Sequence, residues 1–337
     1  MTDQALSHPP STEFSLKAVH ERAEEPIPDY AGAGVPLAVV AALNHAGVPV
    51  RFMEFAAASG WAFSFGYSYD DASAAYMAVR GNPERDGPLE TFAFLPVQYG
   101  LTYEMARTAD PDQLWDFAQR HVDAGTPIMS EHMDGGLITS YRTKRGRRQL
   151  FFDGTVTPGW IDVDAFNPYA VYSFVKAGDG RPGQEITRAT LERAVAKGKE
   201  HAWEGVPQGL AALRRYHADV SDPAKDFAAC SEWFCWAAFE RLMARRCAEV
   251  WLRSVAGTRT GDVKRLIATA ADRYGAAFRC YDRYLAETQG CDPLGRTLTE
   301  RARTPERIEV IVPLLERGIA EEAAGLEGLE EALRLLQ

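Results

Sequence analysis

The feature that most limits how this chain can fold is a change of texture at residues 178–183, GDGRPG. Upstream, short apolar stretches alternate with polar residues and are punctuated by Gly, Pro and basic turns. Downstream, from Ile186 to Gln337, the chain is written in long Ala/Leu/Arg/Glu segments. Alternation with period two belongs to strands, whereas Ala, Leu, Arg and Glu are strong helix formers. The reading is therefore an α+β protein in three parts: a polar, Pro-interrupted arm over residues 1–30, a mixed domain over 31–180, and a mostly α-helical domain over 181–337. Breaks near residues 205–207, 221–223, 257–261 and 289–293 divide the last part into five to seven helices.

Within the mixed domain, residues 34–36 open the apolar stretch LAVVAALNHAG, which suits a short buried helix ending at Gly47. Trp61, Phe63, Phe65, Tyr67 and Tyr69 then recur with a period near two. The polar residues 109–113 precede a helix, LWDFAQRHVDAG, closed by Gly125. Residues 126–129 and 137–142 read as strands, and a hairpin turns through Lys144, Arg145, Gly146 and Arg147 into a return strand over 149–153. Trp160, Ile161, Val163, Phe166 and residues 171–175 suggest further extended chain.

A formal net charge of −10 leaves no broad basic field for neutralising phosphates, which argues against a nucleic-acid partner while allowing a local basic patch. No apolar run is long enough to span a bilayer, so no membrane is expected. The first residues lack the basic-then-apolar layout of a signal peptide, and the five cysteines (Cys230, Cys235, Cys247, Cys280, Cys291) show no paired metal-site spacing. Free thiols in a reducing cytoplasm are expected. Phosphate-loop and metal motifs are absent, so neither ATP use nor a metal is indicated.

Several landmarks fall in a recognisable order: Gly125–Pro127, a Ser140–Tyr141 corner, a basic turn, a strand ending in Asp153, SGWAFSF after the first buried helix, and GLAALRRYHADVSD opening an α-helical lobe with an acidic, leucine-rich end. This order resembles the butirosin-pathway acyltransferase family over most of residues 30–335, and is similar to its branch containing the lincosamide amide synthetases. The resemblance implies a papain-like, C39-peptidase-like N-terminal domain with a mostly α-helical C-terminal domain. It also implies an amide-forming acyltransferase of antibiotic biosynthesis. Such an enzyme condenses an aminoacyl thioester, held on the phosphopantetheine of an acyl or peptidyl carrier protein, with the amine of an amino sugar. Phosphopantetheine then arrives with the partner, and the chain binds no cofactor itself.

In the thiol members of that fold the nucleophile heads the first core helix, here Gly34, Val35 or Pro36, and the partner histidine falls on Asp134 or Gly135. Only the third position keeps a matching residue, Asp153. A dismantled triad implies direct aminolysis, because a thioester is already activated and an acyl-enzyme is optional. Alignment of the two reactants supplies roughly 7–11 kcal/mol and a general base about 10²–10⁴-fold.

The base candidates are Glu131, His132 and Asp134. In extended chain His132 and Asp134 share one side and Glu131 the other. Asp153 would orient His132 or bind the acceptor, and Gly135 and Gly136 would admit a substrate or donate N–H groups. A polar loop whose histidine is satisfied by a carbonyl fits the same residues. Tyr141 and the aromatics Trp61 and Tyr67 are candidate substrate-binding residues, with the other aromatics assigned to the core. Arg142, Lys144, Arg145, Arg147 and Arg148 form the densest basic cluster, suited to docking an acidic carrier protein or to guarding an edge. Asn44 and His45 read as a helix C-terminus. The terminal helix over 321–336 is suited to packing on a second copy. Two other readings stay open: an inert papain-like module binding a carrier or small molecule, and a thiol enzyme using Cys230 or Cys235.

Overall fold

The computed structural model describes residues 16–21, 34–69, 98–106, 110–130, 135–154, 158–166, 170–199, 201–203, 205–225, 242–289 and 304–336. It is a mixed α+β structure in two compact units. One comprises the described parts of Met1–Phe55 and Phe94–Arg181, the other those of Ala56–Ala93 and Pro182–Gln337. Residues 56–69, expected in the mixed domain, thus belong to the helical unit.

The first unit is built on a six-stranded antiparallel sheet of order β1-β6-β2-β3-β4-β5. The strands are β1 (Leu101–Ala106), β2 (Ile128–Ser130), β3 (Gly136–Lys144), β4 (Arg147–Gly154), β5 (Gly159–Asp162) and β6 (Val171–Lys176). A short helix α1 (Leu16–Glu21) packs on α2 (Gly34–His45), and α3 (Phe52–Ala58) follows. Helix α4 (Pro111–Asp123) precedes β2. It starts where Asp110 accepts a hydrogen bond from Asp112 N at 2.9 Å, with Pro111 in the first turn.

Helix α4 is amphipathic, and its apolar stripe defines the main core of this unit. Leu114, Trp115, Phe117, Ala118 and Val122 meet Ile128, Ile138, Tyr141, Leu150, Phe152 and Val171. Strand alternation turns Met129, Leu137 and Tyr172 the other way, and α2, which packs against β2, β3 and β6, covers that face. Residues Gly34 to Leu43 of α2 are all buried, which explains why that segment lacks a polar stripe. The β3–β4 hairpin closes through Arg145 (φ 53°) and Gly146 (φ 75°). Two successive left-handed residues match the twist of the flanking strands.

The second unit contains α5 (Gly183–Gly198), a small ladder of β7 (His201–Trp203) with β8 (Val206–Gln208), α6 (Gly209–Ser221), α7 (Arg245–Gly257), α8 (Gly261–Gln289) and α9 (Pro305–Leu335). The breaks anticipated near residues 205–207, 221–223, 257–261 and 289 coincide with the ladder or with helix ends. Helices α8 and α9 pack along their length through shape. Tyr281 lies where a methyl on Gly318 would stand, and Tyr274 is 3.1 Å from such a methyl on Gly325. Both pairs are seven residues apart, two turns of each helix. Leu326 and Leu329 of the terminal helix are buried inside this unit, whereas Leu335 is exposed.

Residues 56–69 run into this helical core. Phe63 packs edge-on against Trp251 and Tyr274, and Phe65 O accepts a hydrogen bond from Gly209 N at 2.8 Å. Arg245, fully buried, donates from Nε (2.9 Å) and Nη2 (2.6 Å) to the Glu322 carboxylate and from Nη1 (2.9 Å) to Ser64 O. Tyr281 OH donates to the same carboxylate at 3.2 Å. Removing one partner of such a pair strands a buried charge. Glu322→Ala is therefore expected to lower unfolding free energy by about 3–5 kcal/mol in urea denaturation. The double variant Arg245→Met with Glu322→Leu is expected to recover most of that loss.

Candidate functional site

The expected chemistry centres on the turn from β2 into β3. Glu131, His132 and Asp134 lie outside the described residues. What surrounds them on the chain is described, and it forms a tight corner. Gly135 (φ 91°) sits against the amino-terminal turn of α2: a methyl on it would stand 2.6 Å from Val35 N. A methyl on Gly136 would stand 2.6 Å from Asp153 O and from the Phe152 ring. Both glycines are demanded by close approach, one to a helix end and one to a neighbouring strand.

Asp153 pairs across the ladder with Leu137, and Gly154 with Gly136, so the carboxylate is carried to the same corner. Its Oδ2 accepts a hydrogen bond from Leu16 N at 2.8 Å, which makes it the cap of α1 across 137 residues of chain. Burial raises the Asp153 pKa, and the Leu16 amide opposes the rise. The raised pKa means that the neutral acid is favoured in the fold: this contribution is present below the unfolded carboxylate pKa and is lost as pH rises through the folded one.

The α2 amino terminus, Gly135, Gly136 and Asp153 are thus brought together. Tyr141, in the same unit, is not. Tyr141 lies under α4, edge-on to Trp115 at 5.4 Å, with its OH donated to Asp123 at 2.7 Å. Trp61 and Tyr67 belong to the helical unit, where Tyr67 is fully buried and donates its OH to Asp219 at 2.9 Å. The phenol of each of Tyr141 and Tyr67 thus has an internal partner. Asn44 closes α2 as expected, its Oδ1 accepting from Val50 N at 2.8 Å.

The basic hairpin divides. Arg147 pairs with Asp162 at 3.0 Å, and Arg148 with Asp112 at 2.6 Å and Asp164 at 3.7 Å. Lys144 and Arg145 are exposed at the turn. Arg142 is half-buried, its Nε donating to Gln149 Oε1 at 2.8 Å and its guanidinium lying 3.9 Å from the Trp160 ring centroid. Gln149 Nε2 in turn donates to Asp162 at 2.6 Å. That bond and, after it, Arg147 hold the Asp162 carboxyl below its usual range, against an opposing effect of desolvation. The link from Arg142 through Gln149 to Asp162, with Trp160 beside it, was not legible in the sequence. The available signal was the alternation of Gln149, Phe151 and Asp153 on one side of β4.

Cysteines 230, 235 and 291 lie outside the described residues. Cys247 and Cys280 are free thiols buried in the helical unit, and burial pushes both pKa values up, away from the reactive thiolate. His121, without context in the sequence, is buried against Phe117 with Nε2 3.3 Å from Glu104 Oε2. Burial lowers its pKa, while the Glu104 carboxylate pulls it back up. Among the described residues no cluster has the makings of a metal site, and no helix is long and apolar enough to cross a membrane.

Asp153→Ala is expected to speed hydrogen exchange of the Leu16–Glu21 amides about fivefold or more, the loss of a cap worth about 1 kcal/mol. Asp153→Asn, which keeps an acceptor, is expected to leave their exchange close to wild type. No family model matches this chain, and no curated protein matches its sequence.

Proposed function

We propose that this chain is a carrier-protein-dependent amide synthetase with a papain-like first unit, acting in the cytoplasm. It joins the acyl group of a phosphopantetheine-bound aminoacyl thioester to the amine of an amino sugar. The observation that carries the reading is the corner itself. The start of α2, the segment entering β3 and the end of β4 are the three places where a thiol peptidase of this type keeps its nucleophile, base and orienting residue. Here they hold Val35, Gly135 and Asp153, in contact or in register.

Without a nucleophile, the residues have three tasks. The amine nitrogen attacks the thioester carbon and gives its proton to His132, with Asp134 or Asp153 orienting the imidazole. Negative charge on the carbonyl oxygen faces the positive end of the α2 dipole and the backbone N–H groups of the glycine turn. The C–S bond then breaks, and the pantetheine thiolate departs and is protonated. Glu131 is the other candidate for the base.

The fastening of Asp153 to Leu16 N favours a second reading, a binding module whose old catalytic position has become a structural cap. Intact-mass analysis separates the two. The mixture holds the protein, a carrier loaded with a prolyl or alkylprolyl group, and a thiosugar amine. The expected result is loss of acyl mass from the carrier, appearance of the amide, and an unchanged protein mass. His132→Ala is expected to lower the rate about 10²–10⁴-fold. An acyl adduct on the protein would restore a cysteine mechanism, and a carrier that binds but keeps its acyl group would establish the module.

A further inference from the structure

The arginines of the β3–β4 hairpin look alike in sequence and differ sharply in circumstance. Arg147 and Arg148 spend their charge on Asp162, Asp112 and Asp164. Arg142 is held by neutral groups: the Trp160 face and the Gln149 amide oxygen. Among the described residues no carboxylate pairs with it, and its two terminal NH₂ groups keep their donors. In a chain of net charge −10, a half-buried guanidinium without a counter-charge stands out. Stacking and the Nε bond also fix its plane, so little rotamer freedom remains to be lost when a planar fork of donors meets an oxyanion.

The surroundings extend the argument. Tyr141, Leu150 and Phe152 face the α4 core, so Arg142, Gln149 and Phe151 face the opposite side, as do Lys144 and Asp153. Phe151 and Trp160 are cross-strand partners with ring centroids 5.4 Å apart, both half-buried. One face of β4 therefore runs from Gln149 beside the unpaired cation, past an aromatic pair, to Asp153 at the glycine corner. Four residues of strand give this run about 13 Å, which a pantetheine arm is long enough to span from phosphate to sulfur.

We propose that Arg142, assisted by Lys144, binds a phosphate ester, and that the ester is the phosphodiester of the acyl-bearing pantetheine arm. The arm's chain then lies along Phe151 and Trp160 with its thioester at the Gly135–Asp153 corner. The identity of the arm rests on the acyltransfer reading above, whereas the preference for phosphate rests on the state of Arg142. Arg147 and Arg148 are structural ion pairs and take no part.

The test is calorimetric titration of the full-length protein with 4′-phosphopantetheine, beside pantetheine and inorganic phosphate. Phosphopantetheine is expected to bind more tightly than either control, and more weakly as salt is raised. Arg142→Gln is expected to weaken it roughly 10–100-fold, the loss of a charge-assisted contact. Arg142→Lys keeps the charge without the planar fork and is expected to fall between the two. Trp160→Phe is expected to weaken binding with folding retained, as judged by circular dichroism. Pantetheine binding as tightly as its phosphate, inorganic phosphate binding as tightly as the arm, or Arg142→Gln and Arg142→Lys both binding like wild type would overturn the proposal. Turnover of loaded carrier keeps the readings apart. If acyl transfer proceeds with an unchanged KM for carrier in Arg142→Gln, the site falls and the activity stands. If phosphopantetheine binding depends on Arg142 but no carrier is consumed, the site stands and the activity falls.

Discussion

The interaction on which the helical unit most depends is the fully buried contact between Arg245 and Glu322. It ties α7 to α9 and, through Ser64 O, fixes a non-helical segment from the first part of the chain. Taking both charges out of water is expensive, and the fold compensates with hydrogen bonds to each: two bonds between the ions, a backbone carbonyl on the cation, a phenol on the anion. Such an arrangement contributes less to net stability than to uniqueness. An alternative packing that slid Glu322 away would leave an unpaired charge in an apolar interior, and one that moved Ser64 would leave a buried donor without its carbonyl.

The sheet unit is organised by different means. Its core is apolar and conventional, with α4 on one face and α2 on the other. The constraint lies at the corner where Gly135 and Gly136 let three backbones approach one another. A helix end, a strand start and a strand end meet there. The Asp153–Leu16 bond stiffens that corner from outside by holding α1 down on α2.

How much of this could be read from sequence depended on range. The β3–β4 hairpin was legible because its turn is local: a Gly following a basic residue between two alternating runs. The start of α4 was legible only roughly, because the helix begins at Pro111, inside the polar residues 109–113 that were read as preceding it; most breaks between helices were legible. The aromatic run from Trp61 to Tyr69 was misread in setting. Its alternation is real, but the segment lies inside a helical unit, where Gly66 bridges Gln208 and Tyr67 meets Asp219, about 150 residues downstream. The state of each arginine was equally out of reach. Arg148 finds Asp112 from 36 residues away, and Arg142 and Arg147, on one face of the hairpin, differ in that only Arg147 is bonded to Asp162. Charge is written in the sequence, whereas neutralisation is a property of the fold.

The pairing of Tyr274 with Gly325 and Tyr281 with Gly318 carries a consequence for how this protein can vary. Each ring lies over the bare backbone of a glycine, and both contacts recur at the same interval on the two helices. Register between α8 and α9 is thus encoded on their faces and not in the connection between them. A single residue inserted between Gly318 and Gly325 would put side chains where the rings must lie.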